Sequence, residues 1–448
     1  MEWTMAHPDM AEAAGIIVSR LLEKGYEAFW VGGCIRDELL HRPVHDMDIT
    51  TSALPDQILS IFPRCIPTGL QHGTITVLQG KYAFEVTTYR TESGYSDHRR
   101  PEQVVFVKEV KEDLRRRDFT INAMACGMDG LLIDPFGGAD DLQRRVVRCV
   151  GDAEERFEED ALRMLRCVRF ASTLGFSVAK NTWRGLLRQR DKLAHIAVER
   201  VRAELERIVE GPHPRRGLGM LSRSGLLLRG KAPFPVAGTD LAAAAADVAG
   251  IGELESARLR WALLLHALGR SAGEADELLR AWTFPGATRT GVAGVLRVRE
   301  AWTASMAEVP PGDPDGTDKL RRRWIAAVLA YGPDAACGWL ALLRVLPPGS
   351  ASAACVPQPE VPAEGTFAPE PEDFPSMAET WMSQMPVTSL AGLVVGGKDL
   401  TENLNRRPGP WVGEILDKLL LAAAAGDIPN DRQLLLAEAK RMVGHEQL

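Results

Sequence analysis

Two aspartates separated by one residue, in His45-Asp46-Met47-Asp48-Ile49-Thr50, have the type and spacing of a metal-binding pair. In a strand, residues i and i+2 share a face and lie about 6.6 Å apart. Two carboxylates so placed can bridge a pair of divalent ions about 3.5–4 Å apart. Mg²⁺ is the natural choice, because the ligands are hard oxygens and substrate phosphates can fill its octahedron. Such a centre needs a third carboxylate from a neighbouring strand. Glu85, in Phe84-Glu85-Val86-Thr87-Thr88-Tyr89-Arg90, is available. On a strand Phe84, Val86 and Thr88 face one side, Glu85 and Thr87 the other. A plain solvent-facing charge is the alternative reading of Glu85.

Three further stretches suit an anionic, base-bearing substrate. Gly32-Gly33-Cys34-Ile35-Arg36-Asp37 stands at a strand-to-helix turn, where glycines let backbone approach a phosphate and the helix start favours an anion. Arg115-Arg116-Arg117 precedes Asp118-Phe119-Thr120-Ile121-Asn122-Ala123, and such arginines can clamp a triphosphate or an RNA backbone. In Glu159-Asp160-Ala161-Leu162-Arg163, Asp160 and Arg163 are three apart, hence neighbours on a helix. An ionised Asp only accepts hydrogen bonds and Arg only donates. Cytosine and adenine each present an amino donor beside a ring acceptor, whereas uracil and guanine present the reverse order. The pair therefore suits C and A and rejects U and G. A surface ion pair is the alternative. Arg166 and Arg169 continue the ladder and can take phosphates or hold the helix in place.

These residues need elements to position them. Ala11 to Lys24 reads as an amphipathic helix, Glu27 to Val31 as a strand, Ile35 to Leu40 as a helix and Asp46 to Thr50 as a second strand. Thr74 to Leu78 alternates, turns at Gln79-Gly80-Lys81 and returns as Tyr82 to Tyr89, a hairpin. Asp134-Pro135-Phe136-Gly137-Gly138 reads as a boundary or hinge. Beyond Asp152 the strand signal nearly disappears. Glu158 to Leu174 predicts one long helix, and helical patterns continue to about Leu346. Pro347 to Pro375 is rich in Pro, Ala, Ser and Glu and reads as a linker or insertion. Ala378 to Leu448 regains helical periodicity, with Gly396-Gly397-Lys398 as a loop. The expected organisation is α+β: 1–150, a strand-and-helix unit carrying the chemistry; 151–230, a helical neck; 231–346, a helical body; 347–377, the linker; 378–448, a helical tail.

Composition narrows the class. The chain has 448 residues, 45% apolar and 25% charged, with a net charge of −7, which excludes a disordered, collagenous or coiled-coil protein and a generically basic coat. Yet Ala161 to Gly230 carries about ten more Lys and Arg than Asp and Glu. The seven cysteines are odd in number and form no CxxC pair, so they read as buried thiols in a reducing compartment. No basic segment followed by an apolar one opens the chain, and its apolar runs are too short to span a bilayer. A cytoplasmic location without membrane attachment is expected.

Taken together, Gly32–Asp37, Asp46–Asp48, Glu85–Arg90, Arg116–Ala123, Asp134–Gly138 and Glu158–Phe170 resemble, in order and spacing, the class II tRNA nucleotidyltransferases. That family comprises the bacterial CCA-adding enzymes, the separate CC- and A-adding enzymes and the bacterial poly(A) polymerases. The resemblance implies a polymerase-β-like head followed by helical neck, body and tail that hold tRNA. It implies Mg²⁺ at Asp46 and Asp48, with Glu85 as the third carboxylate. It implies nucleotide contacts from Gly32, Gly33, Arg36, Arg117, Asp160, Arg163, Arg166 and Arg169. The expected activity is template-independent addition of CCA to tRNA from CTP and ATP, with Asp160 and Arg163 selecting the base. Glu92 to Pro101 is similar to the flexible loop of members that add A, and Gly397-Lys398-Asp399-Leu400 with Pro408-Gly409-Pro410-Trp411 is similar to the tail of Bacillus-type enzymes. An A-adding or CC-adding enzyme, a poly(A) polymerase, a small-molecule nucleotidyltransferase, which would not need the basic helical neck, and a non-catalytic RNA-binding protein on the same scaffold are the rivals. A homodimer is one option for its assembly.

Overall fold

The first helix, α1 (Pro8–Glu23), starts on a proline, whose missing N–H is harmless in a first turn, and buries Ala14, Ile17, Val18 and Leu21. The chain then builds a mixed sheet from β1 (Ala28–Val31), β2 (Ile49–Thr51), β3 (Cys65–Gly69), β4 (Thr74–Gln79) and β5 (Tyr82–Thr88). Helices α2 (Gly33–Leu39) and α3 (Pro55–Ile61) lie between these strands. Strands β6 (Arg90–Ser93) and β7 (Gln103–Phe106) pair separately, and α4 (Val110–Arg115) follows. Short β8 (Ala125–Cys126) and β9 (Leu132–Ile133) complete a sheet of order β3-β4-β5-β2-β1-β8-β9, in this computed structural model. The described residues are 2–93, 103–232, 234, 244–310, 313–347 and 374–445.

The hairpin forms as its alternation predicts. Gly80, at φ 61°, makes the turn, Gln79 pairs with Tyr82, and Phe84, Val86 and Thr88 are buried while Glu85 is exposed. Strand β2 differs from the expectation: it begins at Ile49, so Asp46 and Asp48 precede it. The ladder nevertheless reaches them, because the Val31 N–H donates to the Asp48 carbonyl at 3.0 Å. Val31, Leu114, Ala123, Ala125 and Val150 form one buried cluster. The first four lie within three residues of a site residue, and the Val150 N–H donates to the Asp118 carbonyl at 3.2 Å, so a single apolar core fixes several site loops at once. Asp134 is no free hinge: its carboxylate accepts from the N–H groups of Gly138 and Ala139 and caps α5 (Gly138–Gln143).

After β10 (Val146–Val147) the chain turns helical: α6 (Ala153–Glu159), α7 (Leu162–Thr173), then, past β11 (Ser177–Val178), α8 (Lys180–Gln189), α9 (Val198–Val209) and α10 (Pro214–Ser224). The single helix expected over Glu158–Leu174 is broken. Asp160 is extended (φ −137°, ψ 103°), and its Oδ1 accepts the Leu162 N–H at 3.0 Å, so it ends α6 and caps α7.

The fold divides into two compact units, Met1–Asp240 and Leu241–Leu448. The described part of the second is helical. Trp302, Trp324 and Phe374 pack on one another within it, Trp302 and Phe374 stacked at 4.4 Å. Gly397 and Lys398, expected in a loop, instead open a helix, Gly397–Asn403, which the Asp399 carboxylate caps by accepting the Gly396 N–H. The linker expected at 347–377 falls largely outside the described residues. No helix is long and apolar enough to cross a membrane among them.

Candidate active site

A cavity of about 460 Å³ opens in the first unit, and every residue singled out for nucleotide or metal chemistry lines it except Glu85 and Arg115. Asp46 and Asp48 occupy one part. Strands β2 and β5 run parallel with Ile49 beside Val86, so Glu85 stands level with Asp48. Burial, the neighbouring Asp46 and the charge of Glu85 push the Asp48 carboxyl up to about 6, against the pull of Arg117. A half-buried carboxylate crowded by like charges is stabilised by a bound cation. Among the described residues no three His, Cys, Asp or Glu side chains are gathered tightly enough to hold a metal by themselves. Asp46 and Asp48 fit Mg²⁺ in the manner that suits it, one or two carboxylates with substrate phosphates supplying the remaining ligands.

Arginines form the other part, and each is anchored. Arg36 Nη1 donates to Asn122 Oδ1 at 2.6 Å, Asn122 Nδ2 donates to Asp118 Oδ1 at 3.1 Å, and Arg166 Nε donates to Asp118 Oδ2 at 2.8 Å. This relay joins α2 to α7 through the turn after α4. Asp118 is held at about 2: burial opposes its charge, and Arg166 and Asn122 more than offset that. Asp113, fully buried on α4, accepts from Arg116 Nε at 2.9 Å and lies 3.5 Å from Arg117 Nη2. It also accepts from the Thr50 hydroxyl at 3.2 Å, tying both arginines to β2 beside Asp48. Arg169 pairs with the buried Glu204 of α9. The Phe170 ring carries Arg169 at 4.0 Å, Arg36 at 5.1 Å and Arg166 at 5.3 Å from its centroid. Arg115, the first of the triple arginine, is exposed at the end of α4 and does not line the cavity.

Gly32 caps α2 at φ 82°, where a side chain is strained, and a Cβ there would stand 3.0 Å from Arg117 Nη1. The glycine thus lets backbone and guanidinium share the cavity wall. Arg163 is buried and fixed by three acceptors: the Arg156 carbonyl at 3.2 Å, Glu159 Oε2 at 2.6 Å and the Arg116 carbonyl at 3.1 Å. Asp160 and Arg163 both line the cavity, Asp160 from the break between α6 and α7 and Arg163 from the first turn of α7.

Several partners escaped sequence reasoning: Asp113, Asp118, Asn122 and Phe170. The run Asp118 to Ala123 is unusual, yet nothing in it indicates that Asp118 meets Arg166, 48 residues on. Cys34, Cys126, Cys149 and Cys167 are buried free thiols as expected, whereas Cys337 is exposed. The flexible loop expected at Glu92 to Pro101 falls mostly outside the described residues, between the paired strands β6 and β7.

A mixed sheet presenting paired aspartates to an arginine-ringed cavity defines a nucleotidyltransferase. Residues 28–148 match the poly A polymerase head domain, 175–229 the probable RNA and SrmB-binding site of polymerase A, and 366–439 a tRNA nucleotidyltransferase domain 2. The CCA-adding enzyme of Geobacillus stearothermophilus is 38% identical over 96% of both chains, and that of Lactiplantibacillus plantarum 36% over 97% of both. The chain belongs to the CCA-adding enzyme family. The Bacillus stearothermophilus CCA-adding enzyme, solved with CTP, superposes with a TM-score of 0.77 at 33% identity, over 98% of this chain and 99% of that one. The Thermotoga maritima CCA-adding enzyme complexed with tRNA shares the fold at a TM-score of 0.65 and 18% identity, over 98% of this chain and 97% of that one.

Proposed function

We propose that this chain completes tRNA in the cytoplasm, adding the 3′-terminal CCA from CTP and ATP. The observation that carries the reading is one cavity that joins Asp46 and Asp48 to Asp160, Arg163 and a set of anchored arginines. In the reaction the tRNA 3′-hydroxyl oxygen forms a bond to the α-phosphorus, and the bond from that phosphorus to pyrophosphate breaks. Asp46 and Asp48 would hold Mg²⁺, which supplies activation of the hydroxyl and neutralisation of the departing charge. Glu85, level with Asp48 though outside the cavity lining, would take the hydroxyl proton or complete the ligand shell. Arg36, Arg117, Arg166 and Arg169 receive the triphosphate, already fixed in place by Asn122, Asp113, Asp118 and Glu204. Gly32 and Gly33 let the backbone come close.

Asp160 and Arg163 accept from the base amino group and donate to the ring acceptor beside it. This order is met by C and A and not by U or G, at about 1–3 kcal/mol for each good contact. The basic neck, 151–230, follows the RNA backbone through phosphate and shape contacts, so binding weakens with salt.

The test offers tRNA transcripts ending before CCA, after C and after CC with Mg²⁺ and each nucleoside triphosphate, the products being resolved to one nucleotide. Addition of CCA that then stops is expected. Only CC, only A or a long A tail would reassign the chain to one of its rivals. Asp46→Ala and Asp48→Ala should lose incorporation while tRNA binding persists. Near-normal turnover in either would refute the metal assignment.

A further inference from the structure

Glu38 stands just past the Gly32–Asp37 run, in no motif that the sequence singles out, yet it is a buried carboxylate on the helix that carries Arg36. Two positions on from Arg36, at 3.6 residues per turn, it lies on the other side of α2. A carboxylate taken out of water is costly unless hydrogen bonds replace its hydration, and packing alone would be served by a leucine. Glu38 collects its bonds from the segment that precedes α1. Its Oε1 accepts the Thr4 N–H at 2.7 Å and the Thr4 hydroxyl at 2.6 Å, and its Oε2 accepts the Met5 N–H at 3.0 Å. That segment in turn grips the loop between α2 and β2. The Val44 N–H donates to the Met5 carbonyl at 3.1 Å, and Ala6 and Val44, both buried, form a parallel bridge. Val44 lies two residues ahead of Asp46. Trp3 seats the same segment on the sheet, its ring 5.3 Å from that of Trp30 on β1, edge to face. Asp48 has its own anchor in the bond from Val31. Asp46 is exposed and stands between that anchor and Val44.

We propose that Glu38 is a positioning residue for the metal pair: through Thr4, Met5 and Val44 it holds Asp46 in place beside Asp48. The inference rests on the metal-holding role proposed for those two aspartates. Without the Glu38 carboxylate, the segment before α1 loses the acceptor for three of its donors, and Val44 loses a fixed partner. Asp46 can then drift while Asp48 stays on the ladder, and the pair holds a cation less tightly. Arg36 keeps its bonds to Asn122 and Asp37, so capture of the triphosphate by the arginines persists.

The test titrates the full chain with Mn²⁺, a paramagnetic stand-in for Mg²⁺, at fixed CTP and without RNA, so that no turnover contributes. Water-proton relaxation reads the bound metal, and CTP binding in EDTA is measured beside it. The variants are Glu38→Leu, Glu38→Gln, Thr4→Val and Asp46→Ala. Glu38→Leu should weaken Mn²⁺ binding about tenfold, the lower end of what groups supporting metal ligands supply, with metal-free CTP binding within about twofold of the parent. Glu38→Gln keeps an acceptor for both Thr4 donors and should recover most of the loss. If Glu38→Leu does not fold, Thr4→Val removes one donor at nearly constant shape and should still weaken Mn²⁺ binding about threefold. Mn²⁺ binding and metal-free CTP binding that fall together would mark a merely structural role and overturn the proposal. Mn²⁺ binding unchanged in the Glu38 and Thr4 variants but lost in Asp46→Ala would overturn it and leave the metal assignment intact. Unchanged Mn²⁺ binding in Asp46→Ala would overturn both.

Discussion

Asp118 offers the most quantitative test of how the cavity is held together. It is 8% exposed, accepts from Arg166 and Asn122, and has its carboxyl held at about 2 despite burial that opposes the charge. In the unfolded chain an aspartate titrates near 3.9. The folded value is depressed, so its contribution is complete well above 3.9 and is lost as the pH falls through about 2. A gap of nearly two units, at 1.36 kcal/mol each, is about 2–3 kcal/mol at pH 7 and about 1 kcal/mol at pH 3. Asparagine closely copies the shape of a protonated aspartate. Asp118→Asn should therefore cost about 2–3 kcal/mol at pH 7, and the difference from the parent should shrink on acidification. Urea unfolding of the full chain at pH 7, 4 and 3, followed by circular dichroism, measures it. A difference below about 0.5 kcal/mol at pH 7, or one that stays flat with pH, would refute the claim that an ionised Asp118 secures Arg166.

Three further expectations follow from neighbouring residues. Gly32→Ala places a side chain at φ 82° against Arg117, so it should cost about 1–3 kcal/mol and raise KM for both nucleotides, and an unchanged KM would refute the shared-wall reading. Asp113→Asn loosens Arg116 and Arg117 together. It should cost about 1–3 kcal/mol and raise KM for CTP and ATP more than it lowers kcat, whereas equal KM values would show that these arginines need no anchor. Arg163→Lys keeps a charge but loses the fork that grips three acceptors; misincorporation of UTP and GTP, read on sequencing gels, should rise about 5- to 100-fold, and unchanged selection would exclude Arg163 from the choice.

What the sequence revealed depended on whether a feature is periodic. The two-residue alternation around Glu85 emerged as expected because strand faces impose it locally. Asp46 and Asp48 were singled out by type and spacing and do line the cavity, but the strand meant to carry them starts at Ile49, and the bond from the Val31 N–H to the Asp48 carbonyl joins segments that no local pattern links. The break at Asp160 has no proline or glycine to announce it. It exists because a side chain captures a backbone N–H, an alternative open to any aspartate. The anchors were hardest to see: Arg36 meets Asn122 across 86 residues and Arg169 meets Glu204 across 35, distances at which no local pattern operates.

The three acceptors that immobilise Arg163 have a consequence for information. In the proposed reading, a donor and an acceptor in fixed order can answer one binary question about an incoming base: whether it belongs with C and A or with U and G. Writing C, then C, then A requires a second binary answer, and it changes between steps. A constellation that does not move cannot supply an answer that changes. One variable that does change from step to step is the length of the RNA end entering the cavity. On that reading the side chains store half of the message, and the growing product is a source for the other half.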